Sequence, residues 1–390
     1  MKKLILFAAI MLFGTTEIVS AQSSESDYSL SGIAKTLKNY RISYLESFHN
    51  GLAKICITKN DKDYVGMINK QGDLVVPCIY NRIGTFNEGM CLVETTDYKY
   101  GYINSNGDIV IPCKYSSGGL FSEGLASVTI EGEGKCYINK NGEIVISPFQ
   151  ARSAGIFQGG IAPIEKEKGY TYFIDKQGKT VIPLQPIRSF GYIEGAYIVR
   201  SEKNRKYGLM DSQGKFIVPM QYVMEDYSGD LIVIAQDGKY GFMDVEGDII
   251  IPLQYSYCES FSEGFAAAMQ NDKMGYIDIT GNALTPFLFE SARKISEGLA
   301  AVRLNMKWGF INKMGKITIP CQFDKVSEFH EGFCVVWKNE QIGLIDKQGK
   351  LFIPFGRLQS ISDFSEGLSC IEDKGRKGYM DKAGNSTLFY

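Results

Sequence analysis

Histidine is nearly missing from this chain: His49 and His330 are the two among 390 residues. Imidazole-based triads and metal centres need partners close at hand, and these two lie far apart, each two residues before a glycine. Basic clusters are lacking as well. The net charge is −2 and the pI is near 5.9, a balance that offers no groove for nucleic acid. No CxxC pair occurs among the nine cysteines, which speaks against a metal knuckle. No glycine-rich loop precedes a helical pattern, so neither a phosphate loop nor a dinucleotide fingerprint is present. Beyond the N-terminus, no apolar run approaches the length of a membrane span.

The one long apolar run, LILFAAIMLFG, follows Met1-Lys2-Lys3 and leads to Val19-Ser20-Ala21. A basic start, a short apolar stretch and a small-x-small site describe a secretory signal peptide over 1–21, with cleavage expected after Ala21. No cysteine follows the apolar stretch, so no lipid anchor is indicated. Residues 22–44 form a Ser-rich leader that turns briefly helix-compatible, and an N-terminal cap is expected there. An exported chain, periplasmic or extracellular, follows from this segment.

What fills the remainder, 45–390, is one module copied about ten times. Glycines at 72, 107, 142, 178, 214, 247, 281, 315, 349 and 384 recur every 33 to 36 residues. A second glycine stands six residues earlier, at 66, 101, 208, 241, 275, 309, 343 and 378, with Cys136 and Tyr172 in its place in two copies. A proline stands five residues later, at 77, 112, 183, 219, 252, 286, 320 and 354, with Pro148 displaced by one. This period belongs to stacked or radial repeat architectures. Composition, with 44% apolar and 22% charged residues, fits a soluble globular class, and no linker interrupts the array.

One copy, residues 297–331, shows the local physics. LAAVRLNMKW predicts a strand, a short turn and the start of a second strand. In FINKMGKITIP, Asn312 precedes Gly315 by three residues, and the same Asx-x-x-Gly spacing occurs at Asn69, Asn104, Asn139, Asp175, Asp211, Asp244, Asp278, Asp346 and Asp381. An Asx side chain can accept the turn's N–H groups while the glycine takes positive φ, closing a hairpin. Proline cannot donate to a ladder, so it is expected where the third strand leaves its partner. Each unit is therefore predicted to be a three-stranded meander, too small to offset its ordering entropy without neighbours.

The segments KYGYINSNGDIVIP, KWGFINKMGKITIP and GLIDKQGKLFIP, preceded by F-S-E-G-L/F-A, resemble the WG (KWG) repeat family of bacteria over residues 45–390. The tryptophan of the Trp-Gly pair survives at Trp308, with Tyr100, Tyr207 and Tyr240 among its replacements, and the copies holding Cys136 and Tyr172 are expected to pack differently. The resemblance implies an all-β repeat fold and no established activity.

Residues that could carry chemistry recur with the period. Glu88, Glu123, Glu194, Glu263, Glu297, Glu331 and Glu366 could suggest a glycosidase carboxylate pair, but a catalytic pair would be unique to one place. They are expected to accept N–H groups in the turn between repeats. Calcium wants six to eight oxygens where each turn supplies one Asx. Tyr102, Tyr137, Phe173, Phe242, Tyr276, Phe310 and Tyr379 are expected in the core; an exposed ladder would use Trp337, Tyr170 and Tyr172. The cysteines mostly replace apolar residues and are expected to be buried and reduced, with disulfides between neighbouring repeats as the alternative.

These features predict an all-β tandem array, with an open solenoid or superhelix favoured over one or more closed propellers. No catalytic, cofactor or metal residue is assigned. The expected role is an exported, non-catalytic scaffold that binds an envelope protein or cell-surface glycan; the alternatives are a structural envelope component and a propeller-like glycan-active enzyme. Gly315→Val is expected to lower the melting temperature more than Lys316→Ala, because only the glycine must hold positive φ. Equal melting shifts would remove the hairpin assignment.

Overall fold

The computed structural model describes residues 28–226 and 231–389; the expected signal peptide lies outside them. A short helix, α1 (Leu30–Leu37), begins at Ser29, whose hydroxyl accepts the Gly32 N–H at 3.0 Å. The first unit then lays down β1 (Arg41–Leu45), β2 (Leu52–Lys59), β3 (Lys62–Asn69) and β4 (Leu74–Tyr80) as an antiparallel meander in sequence order. Units at 82–115, 117–149, 153–185, 291–323, 325–353 and 360–389 repeat this order. The fifth and sixth units share the eleven-residue strand Phe216–Asp226, which joins them into one seven-stranded sheet. The seventh keeps three strands, with bridges to Ala283 and Phe289 in place of a fourth.

The chain is thus the expected all-β array, but every unit except the seventh carries a strand more than predicted. The stretch leading into the F-x-E-G turn pairs with the next strand, and in units such as the third it is only two residues long, Ser117–Gly118. So short a strand leaves no alternating pattern to read. The F-x-E-G turn itself closes a hairpin within the sheet, where a link between repeats was expected. Glu123 and Gly124 have φ of 52° and 86°, the two positive values a type I′ turn requires.

The Asx turns match expectation in all ten units. Asn312 Oδ1 accepts from Met314 and Lys316 N–H, both at 3.0 Å, and Gly315 has φ of 73°. The proline slot differs. The last strand does not leave its partner there: Ile319 faces Phe310 and Phe323 faces Trp308, so Pro320 occupies a bulge between two paired stretches. The bulge also explains the Trp-Gly glycine. A Cβ on Gly309 would lie 2.5 Å from the Ile319 carbonyl oxygen, and one on Gly101 would lie 2.5 Å from that of Ile111. Glycine makes room for the carbonyl that proline's bulge turns inward. The copy with Cys136 keeps the same strand pairing as the rest, while the copy with Tyr172 keeps the strand order but shifts register between Glu165 and Glu167.

Among the described residues the core divides into ten apolar clusters, each between two consecutive units. An open row of ten units has nine such junctions. The tenth joins the last unit to the first: Leu368, Tyr379 and Phe389 pack with Ile42, Phe48, Ile55 and Ile68, under Ile33 and Leu37 of α1. The junction repeats the pattern found elsewhere. Tyr379 stands against Phe48 with ring centroids 5.2 Å apart, as Tyr137 stands against Phe157 at 4.9 Å. Its hydroxyl donates to the Glu46 carbonyl at 2.9 Å, as the Tyr137 hydroxyl does to Gly155 at 2.6 Å. Within an array of the expected kind, the two ends therefore meet. The sequence favoured an open row because closure is carried by residues that repeat at every junction and mark none of them as an end.

Removing one hydroxyl at the seam and one inside the array provides the check. Tyr379→Phe and Tyr137→Phe are each expected to cost about 1 kcal/mol in urea unfolding, the usual worth of one buried hydrogen bond. A neutral Tyr379→Phe beside a costly Tyr137→Phe would mean that the seam is open in solution.

Candidate functional site: an off-beat polar basin

The repeating glutamates sit in the scaffold. Glu297 Oε2 accepts the N–H of Gly332, the turn glycine of the following unit, at 2.9 Å, and meets Lys347 at 3.0 Å. The same three-part clamp is formed by Glu88 with Gly124 and Lys140, Glu123 with Gly160 and Lys176, Glu263 with Gly298 and Lys313, and Glu331 with Gly367 and Lys382. A sixth crosses the seam, from Glu366 to Gly51 at 2.9 Å and to Lys70 at 3.4 Å. Burial alone would raise the Glu297 carboxyl. The Lys347 ammonium and the Gly332 N–H overcome this and hold it below the ordinary value of 4.5. Glu88, Glu263 and Glu331 are lowered by the same balance.

The other sequence candidates are equally structural. His49 and His330 are exposed and belong to different units. All nine cysteines are free thiols, and burial pushes Cys78 up to about 11 and Cys334 up to about 12, which leaves them unreactive near neutral pH. The seven aromatics after the Trp-Gly glycine are all buried, as expected. Trp337 lies on the ninth unit beneath Lys325, while Tyr170 and Tyr172 lie on the fourth, so they form no common platform. No group of three or more metal-ligating side chains occurs among the described residues.

Chemistry that breaks the period gathers on, or just after, the first strands of neighbouring units. Glu225, Asp226, Glu259, Ser260, Arg293, Lys294 and Glu328 line one basin of about 430 Å³. Its walls come from the sixth, seventh, eighth and ninth units. Asp226 Oδ2 meets Lys294 Nζ at 3.0 Å, an ion pair that passes over the seventh unit altogether. Side chains can span that gap only where sheets converge, which puts the first strands on the inner margin of the closed array. Arg293 donates to the Val326 carbonyl at 2.9 Å and lies 4.8 Å from the Trp308 ring centre.

Four carboxylates thus face two cations, both of which are already engaged. Burial raises the Glu259 carboxyl above its ordinary value; Glu328 and Asp226 push it further, against Lys294 and Arg293. Ser260, 1% exposed, finds no partner for its hydroxyl among the described residues. At the matching positions the second to fourth units carry Gly84-Thr85, Gly119-Leu120 and Gly155-Ile156. The inner margin is therefore charged along one arc and nearly bare along another. Sequence reasoning missed the basin because these slots fall in the poorly patterned first strand. Aligning the two residues before the turn aromatic, unit by unit, would have exposed it.

A family model for the WG containing repeat matches at 66–99, 100–133, 137–170, 207–240, 240–273, 274–308, 308–340 and 342–376. The chain belongs to the WG-containing repeat family. In this WG-repeat protein the unmatched stretch 171–206 includes Tyr172, where the family glycine is lost, and the hairpin that holds it shifts register between Glu165 and Glu167. No curated protein sequence matches the chain. Among solved structures, the extracellular domain of BT3049 from B. thetaiotaomicron aligns at 11% identity and a TM-score of 0.30, over 90% of this chain and 65% of that one. This chain thus spans just under two thirds of that domain. BamB from Moraxella catarrhalis aligns at 11% identity and a TM-score of 0.28, over 78% of this chain and 94% of that one.

The clamps carry a pH signature. The lowered glutamates favour the fold while ionised, so their contribution is complete above the ordinary carboxylate range and is lost as pH falls through their lowered values. The melting temperature is expected to drop on acidification below about pH 4.5, and the drop should shrink in Glu297→Gln/Glu331→Gln. An unchanged acid transition in that variant would remove the clamps as its cause.

Proposed function

We propose that this WG-repeat protein is an exported, non-catalytic scaffold whose acidic basin holds a basic segment of a partner protein of the cell envelope. One observation carries this reading: Glu225, Asp226, Glu259 and Glu328 converge off the beat of the repeat, with both neighbouring cations already committed. A lysine or arginine side chain entering there would offset the burial, and with it the Glu328 and Asp226 charges, that raises Glu259, and would give the Ser260 hydroxyl a donor to accept from. Export rests on the pattern of residues 1–21.

The test uses the chain from Gln22 onward and a fluorescent Lys/Arg-rich peptide, titrated by anisotropy at low and at high salt. Binding is expected to weaken at least tenfold in Glu259→Gln/Glu328→Gln and to weaken with salt, since surface charge is screened over about 10 Å at 0.1 M. Binding untouched by that double substitution would overturn the reading. The same carboxyls are what a glycan-cleaving enzyme would need. Release of reducing ends from envelope glycan, abolished by Glu259→Gln, would replace binding by catalysis.

A further inference from the structure

The clamp that shuts six junctions is missing between the first and second units, and it is missing on both sides at once. Asn50 stands in the glutamate slot and Ser105 stands in the lysine slot. The turn that would receive the clamp is intact, with Glu88 and Gly89 at φ of 50° and 79°. A second link is absent too. At other junctions the side chain before the glutamate donates to the next unit's aromatic carbonyl: Asn87 to Phe121 at 2.7 Å, Ser122 to Phe157 at 2.6 Å, Ser365 to Phe48 at 2.5 Å. Here that side chain is His49, which turns back to Ser365 at 3.5 Å, and Phe86 receives no such bond.

The space left open is a cavity of about 240 Å³ lined by Asn50, Gly89 and Ser105 on its polar side and by Leu52, Met67 and Phe86 on its apolar side. Its charged lining residues, Glu46 and Lys54, pair with each other at 3.3 Å. The junction between the fourth and fifth units has also lost both clamp residues, to Gly159 and Ser212. There the gap is filled: a Cβ on Gly159 would meet the Tyr192 hydroxyl at 2.4 Å, and the Tyr197 hydroxyl donates to the Gln158 carbonyl. Among the described residues nothing fills the first gap in the same way.

We propose that this cavity is a binding site for an acetamido group carried by a sugar, an N-acetylated monosaccharide unit of a glycan. The Gly89 N–H, whose counterpart at six junctions finds a carboxylate, has no such acceptor among the described residues, and the Phe86 carbonyl has none of the side-chain donors found elsewhere. An amide supplies both, its C=O to Gly89 and its N–H to Phe86. Its methyl group then lies against Leu52 and Met67. Loss of the glutamate and the lysine together leaves the polar wall neutral, which suits an uncharged amide better than a carboxylate or an ammonium group. This site is separate from the acidic basin and does not depend on it.

The experiment titrates the chain from Gln22 onward with N-acetylglucosamine, glucose and N-acetylalanine methylamide, followed by amide and methyl NMR shifts. N-acetylglucosamine is expected to bind in the millimolar range with shifts at Gly89 and Met67, and glucose at least tenfold more weakly. Asn50→Glu/Ser105→Lys rebuilds the clamp; it is expected to raise the melting temperature and to weaken the sugar at least tenfold. Absence of N-acetylglucosamine binding, or binding that survives the rebuilt clamp, overturns the site. Tighter binding of the acetylated peptide than of the sugar overturns the sugar as its source.

Discussion

Each sheet of this protein is a thin meander with two faces to bury and no partner within its own unit. That constraint sets everything else. Ten units have twenty faces, and only a closed order covers them all with nothing but neighbouring units. The tenth cluster, with Tyr379 on Phe48 and α1 laid over the joint, is the same physical solution as the other nine. Gly32 of the helix packs so closely on Gly72 that a Cβ on the latter would come within 2.2 Å of the former's carbonyl carbon. The helix thus belongs to the packing of the seam.

Much of this could be read from the residues. The Asx-x-x-Gly spacing, the buried aromatics after the Trp-Gly glycine and the structural use of the glutamates were all legible, because each recurs and each has one cheap physical reason. The first strand was not. It is as short as two residues, and its partners are chosen by tertiary packing rather than by alternation. The proline was misplaced for a related reason: it shares a bulge with the glycine opposite, a pairing visible only when Ile319 and Gly309 are seen face to face.

The two sites stand in different relation to the repeat. The basin between Glu225 and Glu328 is an addition, where charges gather at slots that are uncharged in the second to fifth units. The cavity at Asn50 and Ser105 is a subtraction, where two side chains that act together have been removed together. A periodic scaffold makes both kinds of departure recognisable, since the remaining copies supply the reference within the same chain. Neither site was singled out by its residue types alone.

The clamps are also unevenly spread. They run without interruption from the seventh unit through the seam to the first, and again from the second to the fourth. The fifth and sixth units are joined instead by a single unbroken strand. A closed array stitched in this way cannot deform uniformly: bending would concentrate at the junctions without the clamp, and at the one between the first and second units whatever occupies the cavity would resist it.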